Sequence, residues 1–117
     1  MGDIAGPLSR EILLAFWKVH ILHHAAERAV YGLWLIEELA EHGYRLSPGT
    51  LYPILDRMER NGWLRSRQEG HVRSRRTYRI TMEGRRVLRE LQAWITELHG
   101  EVVLGRSSRR PHGPASR

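Results

Sequence analysis

Apolar residues recur with helical spacing in four stretches of the chain and alternate with polar ones in two shorter stretches. Ile12, Leu13, Phe16, Trp17, Val19 and Ile21 predict a first helix from about Arg10 to His24, capped by Ser9 and broad enough in its apolar face to be covered on more than one side. One of those sides can face a second copy of the chain. Gly32, Leu35, Ile36, Leu39 and Ala40 form the stripe of a second helix, from Arg28 or Ala29 to Glu41, which Gly43 terminates. Tyr44 to Leu46 then reads as a connector with at most one or two residues of strand. Leu51, Leu55 and Met58 stand at i, i+4 and i+7 with Ile54 beside them, inside a segment whose two ends are both marked. Ser47 offers a side-chain acceptor to a free N–H, Pro48 suits a first helical turn, and Gly62 can take the left-handed conformation that stops a helix.

After Gly62 the period shortens to two. Leu64 and Ser66, then Tyr78 and Ile80, alternate with arginines, so Trp63–Arg67 and Thr77–Ile80 predict a hairpin with one buried and one charged face. Its tip holds Gly70, His71, Arg73, Arg75 and Arg76. Thr81 caps a last helix from Met82 to about Leu104, in which Leu88, Leu91, Ile95, Leu98 and Val102 step by three and four like a coiled-coil seam. The order helix, helix, turn, helix, basic hairpin, long helix is mainly α with a small β-hairpin wing: a winged helix-turn-helix with a C-terminal dimerisation helix. The expected division is a flexible lead-in over 1–8, a DNA-binding domain over 9–81, a dimerisation helix over 82–104 and a disordered basic tail over 105–117. So regular a seam on so small a domain predicts a homodimer with two-fold symmetry.

With 117 residues there is room for one domain and an appended helix. The chain has no cysteine, which excludes disulfides, thiolate catalysis and cysteine-ligated zinc. No secretory signal or membrane-spanning stretch is evident, and the cytoplasm is the expected location. The net charge of +6 is concentrated: residues 65–79 hold six arginines against one glutamate and residues 106–117 hold four arginines, while residues 1–64 sum to −2. A hairpin tip this basic, without an apolar anchor, calls for an acidic partner, and nucleic-acid phosphate fits best.

The polar face of the third helix carries Thr50, Pro53, Arg57 and Arg60, with Tyr52 on its flank. These groups suit phosphates and base edges when a helix lies in a groove. Pro53 breaks a local rule, because it removes the hydrogen bond to the Gly49 carbonyl, and such violations mark functional surfaces. Gly49 and the missing N–H of Pro53 would let the helix start sit close to the DNA backbone, and Thr50 and Tyr52 would meet phosphate and base edge first. Ser47 belongs to the same tip. Arg73, Arg75 and Arg76 would supply mainly phosphate contacts.

The run Ser47-Pro48-Gly49-Thr50-Leu51-Tyr52-Pro53-Ile54-Leu55, followed by Met58-Glu59, Asn61-Gly62, Arg76-Thr77-Tyr78, Ile80-Thr81 and Gly84-Arg85, resembles the PadR family of bacterial transcriptional regulators. The likeness covers residues 9 to about 104, and Tyr31-Gly32 is similar to the family's second-helix opening, whereas Trp34 and the preceding HHAAERAV are less typical. It implies a dimeric repressor on palindromic double-stranded operator DNA, with the helix from Ser47 in the major groove and the wing on the backbone or minor groove. The single C-terminal helix resembles the smaller subfamily. The resemblance also implies a small aromatic or drug-like effector near the dimer interface, where Trp17 and Trp94 could converge; the competing reading makes both tryptophans dimer core.

No Ser/His/Asp order, glycine-rich phosphate loop or buried carboxylate pair supports an enzyme. A winged-helix module for protein interaction or RNA is the main rival, since function does not follow from fold. His20, His23 and His24 near the end of the first helix could serve a metal-responsive repressor. No carboxylate partner or matching ligand set stands out for them, so neither a metal nor a cofactor is expected.

Overall fold

The computed structural model describes residues 7–72 and 75–106. Its elements are α1 (Pro7–Glu27), β1 (Val30–Tyr31), α2 (Gly32–Glu41), α3 (Pro48–Arg60), β2 (Leu64–Gln68), β3 (Arg76–Ile80) and α4 (Met82–Leu98), closed by a π-helical turn over His99–Val103. The antiparallel sheet has the order β1-β3-β2. Ile21 and Leu22 of α1, Leu35 and Leu39 of α2, Leu51, Leu55 and Met58 of α3, and Tyr78 of β3 are fully buried together, so the core lies where the helices meet one face of the sheet.

The third helix forms as its termini predict. The Ser47 side chain accepts from the Thr50 N–H at 3.2 Å, Pro48 opens the first turn, and Pro53 is carried inside the helix on its exposed side. At its end Gly62 has φ +84°, the Trp63 N–H reaches the Met58 carbonyl at 3.0 Å, and the Gly62 N–H reaches that of Glu59 at 2.9 Å, a Schellman closure. Gly43 (φ +90°) closes α2 by the same pair of bonds, to Leu39 and Ala40. The turn between them is pinned by Tyr44 and Leu46, both buried around an exposed Arg45. That alternation suggests strand, but among the described residues the segment joins no strand of the sheet and forms none.

Three boundaries of the first two helices differ from expectation. The first helix runs from Pro7 to Glu27, so it starts ahead of Ser9, with proline at the opening turn that tolerates it. It also continues past His24, because Ala25 extends the stripe of Ile21 and Leu22 and is itself buried. Residues just before Gly32 are a strand and not the start of α2: Val30 pairs with Tyr78 and Tyr31 with Thr77, adding a third strand to the hairpin. Residues 1–6, Arg73, Ser74 and 107–117, which include most of the expected lead-in and tail, lie outside the described residues.

The seam of α4 divides. Leu88 is buried in the domain's own core and Leu91 is half-buried against it, whereas Ile95, Leu98 and Val102 are exposed to rising extents of 44%, 55% and 69%. The expectation that the whole seam awaits a partner therefore holds no room for Leu88, whose side chain is already covered by this chain. Thr81 fastens the start of α4: its side chain accepts from the Gly84 N–H at 2.9 Å, its hydroxyl donates to the Gly62 carbonyl, and its N–H donates to that of Trp63 at 3.0 Å.

Candidate nucleic-acid interface

The first turn of α3 is exposed at Ser47, Pro48 and Gly49 and half-buried at Thr50, and it carries no acidic residue. The positive end of the helix dipole is therefore not neutralised by a carboxylate within the turn. The Ser47 hydroxyl also donates to Thr50 Oγ1 at 3.3 Å, which sets the two hydroxyls side by side at the tip. Pro53, Arg57 and Arg60 continue the exposed face toward the C-terminus. Tyr52 departs from it. Its ring is half-buried over Gly32 at the start of α2, so close that a Cβ on that glycine would fall 2.6 Å from the phenol oxygen. Tyr52 thus packs α3 onto α2 and presents only part of its ring to solvent.

The register of the hairpin sorts its arginines. Leu64 pairs with Ile80 and Ser66 with Tyr78 toward the core, which turns Arg65, Arg67 and Arg79 outward together, with Thr77 opposite Arg67. All three arginines are exposed. They form the charged face that the period-two alternation predicts, beyond the tip arginines to which the sequence pattern assigned phosphate contacts. Arg75 is exposed near the tip, and Arg76 is half-buried with its Nε–H donating to Gln68 Oε1 at 3.0 Å, so it also braces the hairpin. Arg73, expected beside them, lies outside the described residues. Arg65, Arg67, Arg75 and Arg79 make no ion pair with a described residue, in contrast to Arg86, which pairs with Glu83 and Glu90 along α4.

Helix and wing are tied by one carboxylate. Glu59 Oε2, in the last turn of α3, accepts from the Ser66 N–H at 3.1 Å and from the Ser66 hydroxyl at 2.7 Å. Because β2 is an edge strand, its outward N–H groups have no strand to bond, and Glu59 satisfies one of them while fixing the wing beside α3.

A second exposed surface is apolar. Ile12 (57% exposed) and Phe16 (50%) on α1 lie on a helix that packs against α4, whose distal half exposes Trp94 (67%), Ile95 and Leu98, continued by Val102 in the π-helical turn. Trp17 is buried in the domain core, unlike Trp94. Within one chain the two tryptophans therefore occupy different environments.

A helix-turn-helix with an acid-free exposed tip, joined to an arginine-faced wing, brings together groups of the kind that contact nucleic acid. The sequence profile of the transcriptional regulator PadR-like family matches residues 21–90, more than half of the chain. The chain belongs to the PadR family. Over 105 residues it is 49% identical to the transcriptional regulator Rv3488 of Mycobacterium tuberculosis (strain ATCC 25618 / H37Rv), covering 89% of this chain and 98% of that protein. Among solved structures, a PadR family transcriptional regulator from Eggerthella lenta DSM 2243 is 31% identical, with a TM-score of 0.67 over 87% of this chain and 95% of that one. A PadR-like transcription factor from Bacteroides fragilis shares the fold at a TM-score of 0.71 and 24% identity, over 85% and 98% of the two chains. This PadR-family protein is a transcriptional regulator and not an enzyme. No helix among its described residues is long and apolar enough to cross a membrane.

Proposed function

We propose that this PadR-family protein is a cytoplasmic homodimeric repressor that binds a palindromic operator in double-stranded DNA. In each protomer α3 enters the major groove by its Ser47–Thr50 tip, with Pro53 and Arg57 following along the groove. The wing arginines lie on flanking phosphates. The observation that carries this reading is the pairing of an acid-free helix start with an outward arginine face, held in fixed relation by Glu59 and Ser66. Tyr52, seated over Gly32, acts chiefly by setting the tilt of α3 and only secondarily as a base contact.

The two-fold interface is formed by Trp94, Ile95 and Leu98 on α4 and Val102 in the turn that follows it, together with Ile12 and Phe16 on α1; Leu88 and Leu91 support it from the core side. The DNA-binding unit over 9–81 and the dimerisation helix over 82–104 are thus functional divisions of one packed domain. A small aromatic effector would meet Trp94 at the edge of this interface and release DNA by altering it, while Trp17 serves as core.

Gel shift on duplex DNA from the protein's own promoter, with random duplex and RNA as competitors, tests the reading. A shift resisted by random duplex and by RNA is expected. Equal competition by RNA, or binding without sequence preference, would favour the protein-interaction or RNA-associated module. Titration of planar aromatic compounds against tryptophan fluorescence, compared with Trp94→Phe, tests the effector site; no change in emission or operator affinity would leave Trp94 as interface alone.

A further inference from the structure

The histidines near the end of α1 have partners that come from another element. His20 and His24 stand one turn apart on α1, His42 is the C-cap of α2, and Glu38 lies one turn before His42. The candidate donor nitrogens of His20, His24 and His42 all lie within 4.8 Å of one another. Glu38 Oε2 is 3.6 Å from His24 Nε2 and 3.4 Å from His42 Nε2, so the carboxylate lies beside two of the three imidazoles. The His20 and His42 rings stand 4.8 Å apart between centroids. His24 is the inner member, with Trp34 edge-on to its ring at 5.3 Å; its Nε2 is buried and has no hydrogen-bond partner among the described residues.

We propose that His20, His24, His42 and Glu38 form a site for one divalent ion of the zinc class, joining α1 to the end of α2. Three imidazoles and a carboxylate are a donor set that first-row ions of intermediate softness accept, whereas magnesium and calcium prefer oxygen. Bonds of 2.0–2.1 Å at tetrahedral angles put donors about 3.4 Å apart, so rotation of the three imidazoles must close their present spacing by little more than an ångström, with Glu38 swinging in from beside His24 and His42. His42, the exposed member, leaves an entry path, and Trp34 and Tyr44 wall the inner side against His24 and His20. One carboxylate cannot pair fully with three imidazoles, so ion pairing with Glu38 does not account for the cluster, and burial, the largest influence on His20 and His24, disfavours their charged forms. An alternative set, His23, His24 and Glu27, shares His24 but lies on one helix with both other members half exposed, and offers no second element to close on the ion.

The test uses untagged full-length protein stripped with a chelator and needs no DNA, so its outcome is independent of the operator reading. Zinc titrated by calorimetry should bind at one ion per chain, and cobalt(II) should give the intense visible bands of a four-coordinate site. Bound zinc should also raise the thermal midpoint of unfolding. His42→Ala and Glu38→Gln should each weaken zinc by at least about tenfold and diminish the cobalt bands, with far-UV circular dichroism unchanged. His23→Ala should bind as the parent does. Absence of saturable zinc binding, or binding indifferent to both His42→Ala and Glu38→Gln, would overturn the site. So would binding lost in His23→Ala and kept in His42→Ala, which would assign the ion to the other set.

Discussion

Replacing Glu59 with alanine deletes in one step the acceptor of two hydrogen bonds, from the Ser66 N–H and from the Ser66 hydroxyl. Hydrogen bonds to a charged group contribute about 1.5–3 kcal/mol each. Here both residues are half-buried, one oxygen serves both donors, and the freed edge N–H can turn to water, so the pair together is worth about 2 kcal/mol. In a chain of this size that lowers the unfolding midpoint by roughly 8 °C. Ser66→Ala removes the hydroxyl donor alone and should cost about 1 kcal/mol. The two changes share a contact, so urea unfolding of the parent, both single variants and the double variant, at fixed protein concentration, should give a coupling energy near 1 kcal/mol. Amide exchange at Ser66 should accelerate in Glu59→Ala, while exchange at Leu55 in the core follows global stability. Operator binding should weaken even though the variant has lost a negative charge beside the wing, a change that by electrostatics alone strengthens attraction to DNA. A coupling within about 0.3 kcal/mol of zero, with Ser66 exchange unchanged, would show that this contact does not hold the wing.

Three further outcomes follow from the same geometry. Arg75→Ala should weaken binding to operator and random duplex alike and flatten the dependence of log affinity on log salt by about 0.9; an unaltered slope would remove Arg75 from the phosphate contacts. Leu98→Glu places an uncompensated charge in the proposed two-fold face at a cost of roughly 3 kcal/mol per copy, so sedimentation should find a folded monomer with the core of one domain intact; a persistent dimer would relocate the interface. His20 and His24 are held below their ordinary pKa of 6.5 first by burial and then by the surrounding His23 and His42, with Glu38 and, for His24, Glu27 opposing. The unfolded chain therefore takes up protons first as pH falls. With metal chelated, stability should decline as pH drops through about 6.5 toward the folded-state values and level off below them; a urea midpoint constant across that window would contradict the burial of these rings.

The segment from Ser47 to Gly62 was legible in the sequence because everything that defines it is local: a capping hydroxyl, a first-turn proline, a stripe at helical period and a glycine stop. The seam of α4 was legible as a pattern but not as an allocation. Periodicity reports that Leu88 and Leu98 both need covering, and only the packing reveals that the first is covered by its own domain. β1 escaped because two residues carry no period, and their strand character comes from Tyr78 and Thr77, far away in the chain. The same non-locality hid the environment of His24, since Glu38 and His42 arrive from the next helix. Arg65, Arg67 and Arg79 were recoverable from alternation alone; counting charge at the hairpin tip drew attention away from the strands that carry it.

The divided α4 has a mechanical side. One end is bolted by Thr81 to the close of α3 and the start of β2, and the other stands clear of the core with its apolar side chains uncovered. In a two-fold pair such a helix is a rigid strut between the partner and the reading head. A few degrees of rotation where the struts cross become ångströms of change in the separation of the two α3 tips, and operator DNA accepts that separation only in steps of its helical repeat. Regulation then requires no rearrangement inside the DNA-binding unit: a shift in the crossing angle suffices to bring both heads into register or take them out of it.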